Sequence, residues 1–155
     1  MAYSDEGNYK MAEKLYRKAI TLDPLNPVAY HNLANLYQTI GKTDLAIKNY
    51  KKAVSLDPNF VFSYNALVDL YLRTKNYQEA RQILEDYLKT GKLKIDTFLL
   101  LAQIAIKEGN VDLALDYLER ALSIDPDNQF IKKSIIDIKN LIQAKNEKIK
   151  LQKER

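Results

Sequence analysis

The chain has 155 residues, enough to bury a substantial core within one domain. It is 46% hydrophobic and 28% charged with only 4 Gly and 4 Pro, which excludes collagen-like, low-complexity and membrane-spanning classes. The lack of cysteine excludes a disulfide framework, a thiolate metal site and a cysteine nucleophile. The net charge of +4 is uneven: residues 1–127 carry 16 basic and 17 acidic side chains, residues 128–155 carry 8 and 3. The basic character therefore belongs to the C-terminal segment. The start, Met1 to Glu6, has neither the basic head nor the apolar run of a secretion signal, so a cytoplasmic location is expected.

Apolar residues recurring at three- and four-residue steps predict helices over about 8–21, 27–40, 43–56, 61–74, 77–90, 94–108, 111–124 and 128–150. In the second of these, Tyr30, Leu33, Ala34 and Tyr37 share one face. Gly41 and Gly109 mark helix stops, and Asp-Pro pairs at 57–58 and 125–126 end the helices before them, since a residue preceding proline is pushed from the helical region. All four glycines read as turn positions. The last helix carries Ile131, Ile135, Ile138, Ile142 and Ile149 at alternating four- and three-residue steps, interrupted by Lys145.

A period of 34 residues runs through these elements. Ala12, Ala46, Ala80 and Ala114 lie 34 apart. So do Pro24 and Pro58, with Pro126 at twice that distance, and so do the columns Tyr30, Tyr64, Phe98 and Leu33, Leu67, Leu101. The second unit reads Tyr30-x2-Leu33-Ala34-x2-Tyr37, then Ala46-x3-Tyr50, then Pro58. In these residues the chain resembles the tetratricopeptide repeat family. The resemblance implies an all-α, right-handed solenoid of tandem helix-turn-helix hairpins. It covers about residues 3–126, divided into a half unit at about 1–26 and full units at about 27–60, 61–94 and 95–127. Residues 128–155 would then form a capping helix with a basic tail, although their 3.5-residue average spacing also suits a coiled-coil seam.

The half unit lacks its leading helix, so Tyr9, Ala12 and Tyr16 are expected to want a neighbour. Two arrangements fit: a fragment of a longer array, or an N-terminal edge that meets a partner or a second copy. The third unit departs from the pattern with Tyr87 in an alanine column, Lys75 in the glycine column and Lys92 in place of proline.

The family resemblance places a binding groove on the first helix of each unit and implies protein or peptide partners. The side chains not used for packing are His31, Asn32, Asn35 and Gln38, with Val28 and Thr39; then Phe62, Asn65, Asp69, Leu72 and Arg73, with Ala66; then Leu99, Gln103 and Lys107, with Asp96, Leu100 and Ile106. Amides suit an extended peptide because they both donate to and accept from its backbone. Leu72, Leu99 and Ile106 would hold an apolar side chain or an amphipathic helix, or else pack beneath helix 128–150. The basic places of the family's carboxylate clamp fall on Phe62 and Ala66 or on Asp96 and Leu100, so that activity is not expected. An asparagine ladder begins with Asn32 and Asn35 but does not continue.

Catalysis is not expected. His31 is the sole histidine, too few parts for a histidine metal site or a triad. Glu85-Asp86 and Asp116 with Glu119 lie on faces read as solvated. No cofactor is implied. The lysines of residues 128–155 lack interleaved aromatics other than Phe130, so a nucleic-acid partner is not expected. No stretch is apolar enough for membrane insertion. A homo-oligomer formed through the N-terminal edge or the last helix is the competing class of function.

Overall fold

The computed structural model describes residues 2–91 and 94–153. Its elements are α1 (Ala2–Leu22), α2 (Pro27–Thr39), α3 (Thr43–Leu56), α4 (Val61–Arg73), α5 (Tyr77–Leu88), α6 (Ile95–Lys107), α7 (Val111–Ile124) and α8 (Gln129–Lys153). The described residues contain no strand. The period is visible in the helix starts: α2, α4, α6 and α8 begin 34 residues apart, and α3, α5 and α7 do the same. The chain divides into two compact units, residues 1–75 and 76–155.

In the first unit α1 packs on α2, α2 on α3, and α3 on α4. Ala34, Ala46 and Ala53 are fully buried, which lets α2 and α3 approach closely, while Tyr37 and Tyr50 fill the space beside them. Asn26 caps α2 by accepting from the Val28 amide at 3.0 Å, and Pro27 follows at the position where a missing N–H costs nothing. Asp57 leaves the helical region with φ −133° and ψ 99°, as its following proline requires. In the second unit α5 packs on α6, α6 on α7, and α7 on α8. Its core is Leu101, Ile104, Ala105, Ala114 and Ala121, closed by Ile131, Ile135 and Ile138 from α8.

Several expectations need correction. The first helix was expected from residue 8, but α1 runs from Ala2 straight through Gly7. Gly41, Gly91 and Gly109 hold positive φ at their helix ends, whereas Gly7 does not. Gly7 shares the column but not the role, because the chain is helical on both sides of it. The N-terminal apolar set also differs. Tyr9, Ala12 and Tyr16 are partly covered, whereas Met11, Leu15 and Leu22 stand 58%, 57% and 77% exposed. Lys75 keeps the left-handed turn of its glycine column at φ 60°. Tyr87, in the alanine column, is buried. Lys92 lies outside the described residues. On α8, Ile131, Ile135 and Ile138 are buried, Ile142 is half-covered and Ile149 is exposed. Every described side chain beyond Ile142 is exposed, because α8 outlasts the 14-residue α7.

Candidate functional site

His31 on α2 meets α4 through its Nδ1, 2.9 Å from the Ser63 hydroxyl. Around it stand the rings of Tyr50 and Phe60, each with its centroid 5.4 Å away, and of Phe62 at 6.4 Å. Burial holds the imidazole below its ordinary pKa, so His31 is neutral at pH 7. It is thus a half-buried member of an aromatic cluster rather than a surface histidine. Phe62 is 65% exposed and forms the outer shelf of that cluster.

One turn further along α2, the side-chain amides of Asn35 and Gln38 each lie 2.6 Å from the Tyr50 hydroxyl. Tyr50 is fully buried, so its hydroxyl must find partners among protein groups. Burial and then the nearby Asp69 charge push its pKa to about 12. The hydroxyl donates its single proton toward the Asn35 Oδ1 and Gln38 Oε1 oxygens, both of which accept. The amides expected to await a peptide backbone are therefore positioned by Tyr50, with only part of their capacity turned outward. Asp69 is exposed, and its ion pair with Arg73 is loose at 3.7 Å.

In the second unit the equivalent place is open. A cavity of about 220 Å³ is lined by Leu99, Ala102, Gln103 and Ile106 of α6, Leu118 of α7, and Phe130, Ser134, Asp137 and Ile138 of α8. Residue by residue, Leu99 stands where His31 stands, Ile106 where Gln38 stands, and Leu118 where Tyr50 stands, each 68 residues on. The shorter Leu118 leaves unfilled the volume that the Tyr50 ring occupies in the first unit. Leu99 and Ile106 line a cavity that α8 completes.

The structure brings His31 beside Phe62, joins Asn35 and Gln38 through Tyr50, and sets Leu99 and Gln103 in the lining of one cavity. Asn32, Asn65, Leu72 and Lys107 lie on the expected helices but belong to neither. Phe130, Ser134 and Asp137 lie on the last helix, where the sequence points to capping rather than to a site. The signal was there, since Phe130 and Asp137 repeat Phe62 and Asp69 at twice the 34-residue period.

Of the carboxylates expected on solvated faces, Asp86, Asp116 and Glu119 make solvated ion pairs, whereas Glu85 has structural work. Glu85 accepts from the buried Tyr117 hydroxyl and pairs with Arg81, which also reaches Glu108 at 3.0 Å. Tyr37 likewise donates to Glu13 at 2.8 Å while Arg17 donates to Tyr37. Among the described residues no three His, Cys, Asp or Glu side chains come together to hold a metal. No helix among them is long and apolar enough to cross a membrane.

Four family models for the tetratricopeptide repeat match the sequence, at residues 2–41, 27–60, 49–82 and 96–128. The chain belongs to the tetratricopeptide repeat family. Its fold is accordingly the family's all-α solenoid of hairpins, and a protein-interaction scaffold is the role that such repeats support. Among solved structures, it is similar to YrrB, described as a tetratricopeptide protein with an unusual peptide-binding site. The identity is 27%, with a TM-score of 0.56, covering 80% of this chain and 64% of that one. It spans a little under two thirds of that protein. A MamA structure is 25% identical with a TM-score of 0.63, covering 97% of this chain and 82% of MamA. A chain of the Naa15/Naa10 complex bound to HypK-THB is 28% identical with a TM-score of 0.62, over 75% of this chain and 17% of that one. Comparison with curated protein sequences gave no match.

Proposed function

We propose that this repeat array holds a segment of a partner protein by seating one of the segment's apolar side chains in the α6–α8 cavity. The observation that carries this is the cavity itself: about 220 Å³, lined by the apolar Leu99, Ile106, Leu118 and Phe130 and by the polar Gln103, Ser134 and Asp137. An apolar cavity of roughly 150 Å³ accepts a benzene-sized group, so this one has room for a leucine or phenylalanine side chain. The polar lining groups suit the backbone and flanks of the bound segment. A short segment that orders on binding is expected to bind at roughly micromolar affinity. The peptide-binding site in the description of YrrB and the bound HypK of the Naa15/Naa10 complex support the same class of role. In the first unit the shelf of Phe62 and the amides of Asn35 and Gln38 offer a shallower surface to the same partner. No step of this reading requires catalysis.

The test is a selection of random displayed peptides against the wild type and against Leu118→Tyr, which rebuilds in the second unit the filling seen in the first. Peptides sharing an apolar anchor are expected from the wild type and are expected to vanish with Leu118→Tyr. Equal recovery of the same peptides from both proteins would rule the cavity out.

A second reading, association of two copies through α1, rests on Met11, Leu15 and Leu22, which form an exposed apolar stripe at i, i+4 and i+11. Mass measured against concentration, for wild type and Met11→Lys/Leu15→Lys, decides it: a constant monomer mass removes it.

A further inference from the structure

The columns that seat a helix elsewhere in the chain stand open on α1. By the 34-residue period α1 corresponds to α3 and α7. In the first unit α3 packs on both α2 and α4, and in the second α7 packs on both α6 and α8, whereas α1 packs on α2 alone. Ala53 and Ala121 are fully buried, but Ala19 in the same column is exposed. Ala12 is only partly covered, where Ala46 and Ala114 are fully buried. The turn held at Gly41 and Gly109 is replaced at Gly7 by continuous helix, so no described helix folds back onto that face. Beside these alanines runs the exposed stripe of Met11, Leu15 and Leu22. One margin of the stripe is basic. Lys18 takes its i+7 place, and Lys14 and Lys10 run from it at four-residue steps. All three are exposed and take part in none of the ion pairs among the described residues. Like charges four apart on a helix repel. The same columns elsewhere mix the signs: α3 sets Asp44 before its two lysines, and α7 sets Asp112 and Asp116 before Arg120. The only acid of residues 7–22, Glu13, is already engaged by Tyr37 and Arg17.

We propose that this face of α1 docks an acidic amphipathic helix of a partner protein. Two features choose that occupant. Ala12 and Ala19 are small residues of the kind that let a helix come close, as Ala46 and Ala53 let α2 approach α3, so the occupant is a helix. The row of Lys10, Lys14 and Lys18 is about 12 Å long, so it matches carboxylates at four-residue steps along one margin of that helix. A second copy of α1 fits less well. Laid antiparallel, as hairpin helices are, it would bring its own lysine row to the same margin, like charge against like. The inference goes beyond the α6–α8 cavity, which it neither uses nor requires. It gives the stripe of the second reading above a different occupant.

The probe is a synthetic helical peptide of about 18 residues, five turns, with leucine and alanine on one face and glutamate at four-residue steps along one margin. Its control has lysine for each glutamate. Fluorescence anisotropy of the labelled peptides is expected to show the glutamate peptide binding the wild type and the control binding several-fold more weakly, a preference that fades with added salt. Lys14→Glu/Lys18→Glu is expected to invert the preference, so that the lysine peptide binds better, a result that a misfolded variant cannot give. Leu118→Tyr is expected to leave the affinity for the glutamate peptide unchanged. No binding of the glutamate peptide, or equal binding of both peptides, overturns the proposal. Binding that is lost with Leu118→Tyr but indifferent to Lys14→Glu/Lys18→Glu puts the peptide in the cavity; the proposal then fails while the cavity reading stands. A wild-type dimer that Met11→Lys/Leu15→Lys dissolves gives the stripe to a second copy and overturns the proposal. Binding to phosphatidylserine vesicles that Lys14→Glu/Lys18→Glu abolishes, with no preference between the peptides, gives it to a membrane surface and overturns it likewise.

Discussion

At Lys75 the chain turns with φ at 60°, a conformation that brings Cβ close to the following carbonyl and costs roughly 1–2 kcal/mol for a residue other than glycine. Gly41 and Gly109 occupy the same place in neighbouring repeats without that cost. Lys75→Gly is therefore expected to raise stability by up to about 1 kcal/mol, after the added freedom of glycine in the unfolded chain is set against the relieved strain. Denaturant midpoints compared at equal slope check it. His31 supplies a second test at this scale. Burial lowers its folded pKa below the ordinary 6.5, so the unfolded chain takes up the proton first. Its contribution is complete above about pH 6.5 and is lost as pH falls below that value toward the folded pKa. The wild type should lose stability between pH 7 and 5.5, and His31→Leu, which copies Leu99 of the second unit, should lose distinctly less. Glu13 adds its own acid sensitivity lower down, since the Tyr37 and Arg17 hydrogen bonds hold its carboxyl below 4.5.

The helices show which parts of the sequence speak plainly. Packing columns such as Ala46, Ala80 and Ala114 are fixed by close helix approach, so their spacing announced every hairpin from residue 27 onward. Gly7 misled because a glycine tells the helix nothing unless a second helix must turn away there. The groove side chains were harder, because residues facing solvent obey no packing rule, and Tyr50's hold on Asn35 and Gln38 depends on a third helix. On α8 the positions Lys132 and Lys139 replace Tyr64 and Tyr71, or Phe98 and Ala105, a polar substitution that suits a helix face turned to solvent. Its inner face is different. Ile135→Ala is expected to cost about 2–4 kcal/mol by leaving a cavity against α7. Removing residues 146–155, whose described side chains are exposed and reach the rest of the chain only through the solvated Gln143–Glu147 hydrogen bond, should shift the melting temperature little, as differential scanning calorimetry would show.

For the whole molecule, packing within each unit joins helices that follow one another in sequence, a pattern of low contact order. Refolding from denaturant, followed by tyrosine fluorescence, is expected to have a main phase well under a second. A dominant phase of many seconds would contradict that local wiring. Family membership was legible from the period alone, whereas the difference between the two units was not, because it lies in three columns where different side chains fit the same helix frame. Those columns have a practical consequence. His31, Gln38 and Tyr50 on one side and Leu99, Ile106 and Leu118 on the other are alternative fillings of one backbone frame. Binding preference in this scaffold is therefore portable: a cassette of three side chains, transplanted between units, should carry its chemistry along and leave the helices where they are.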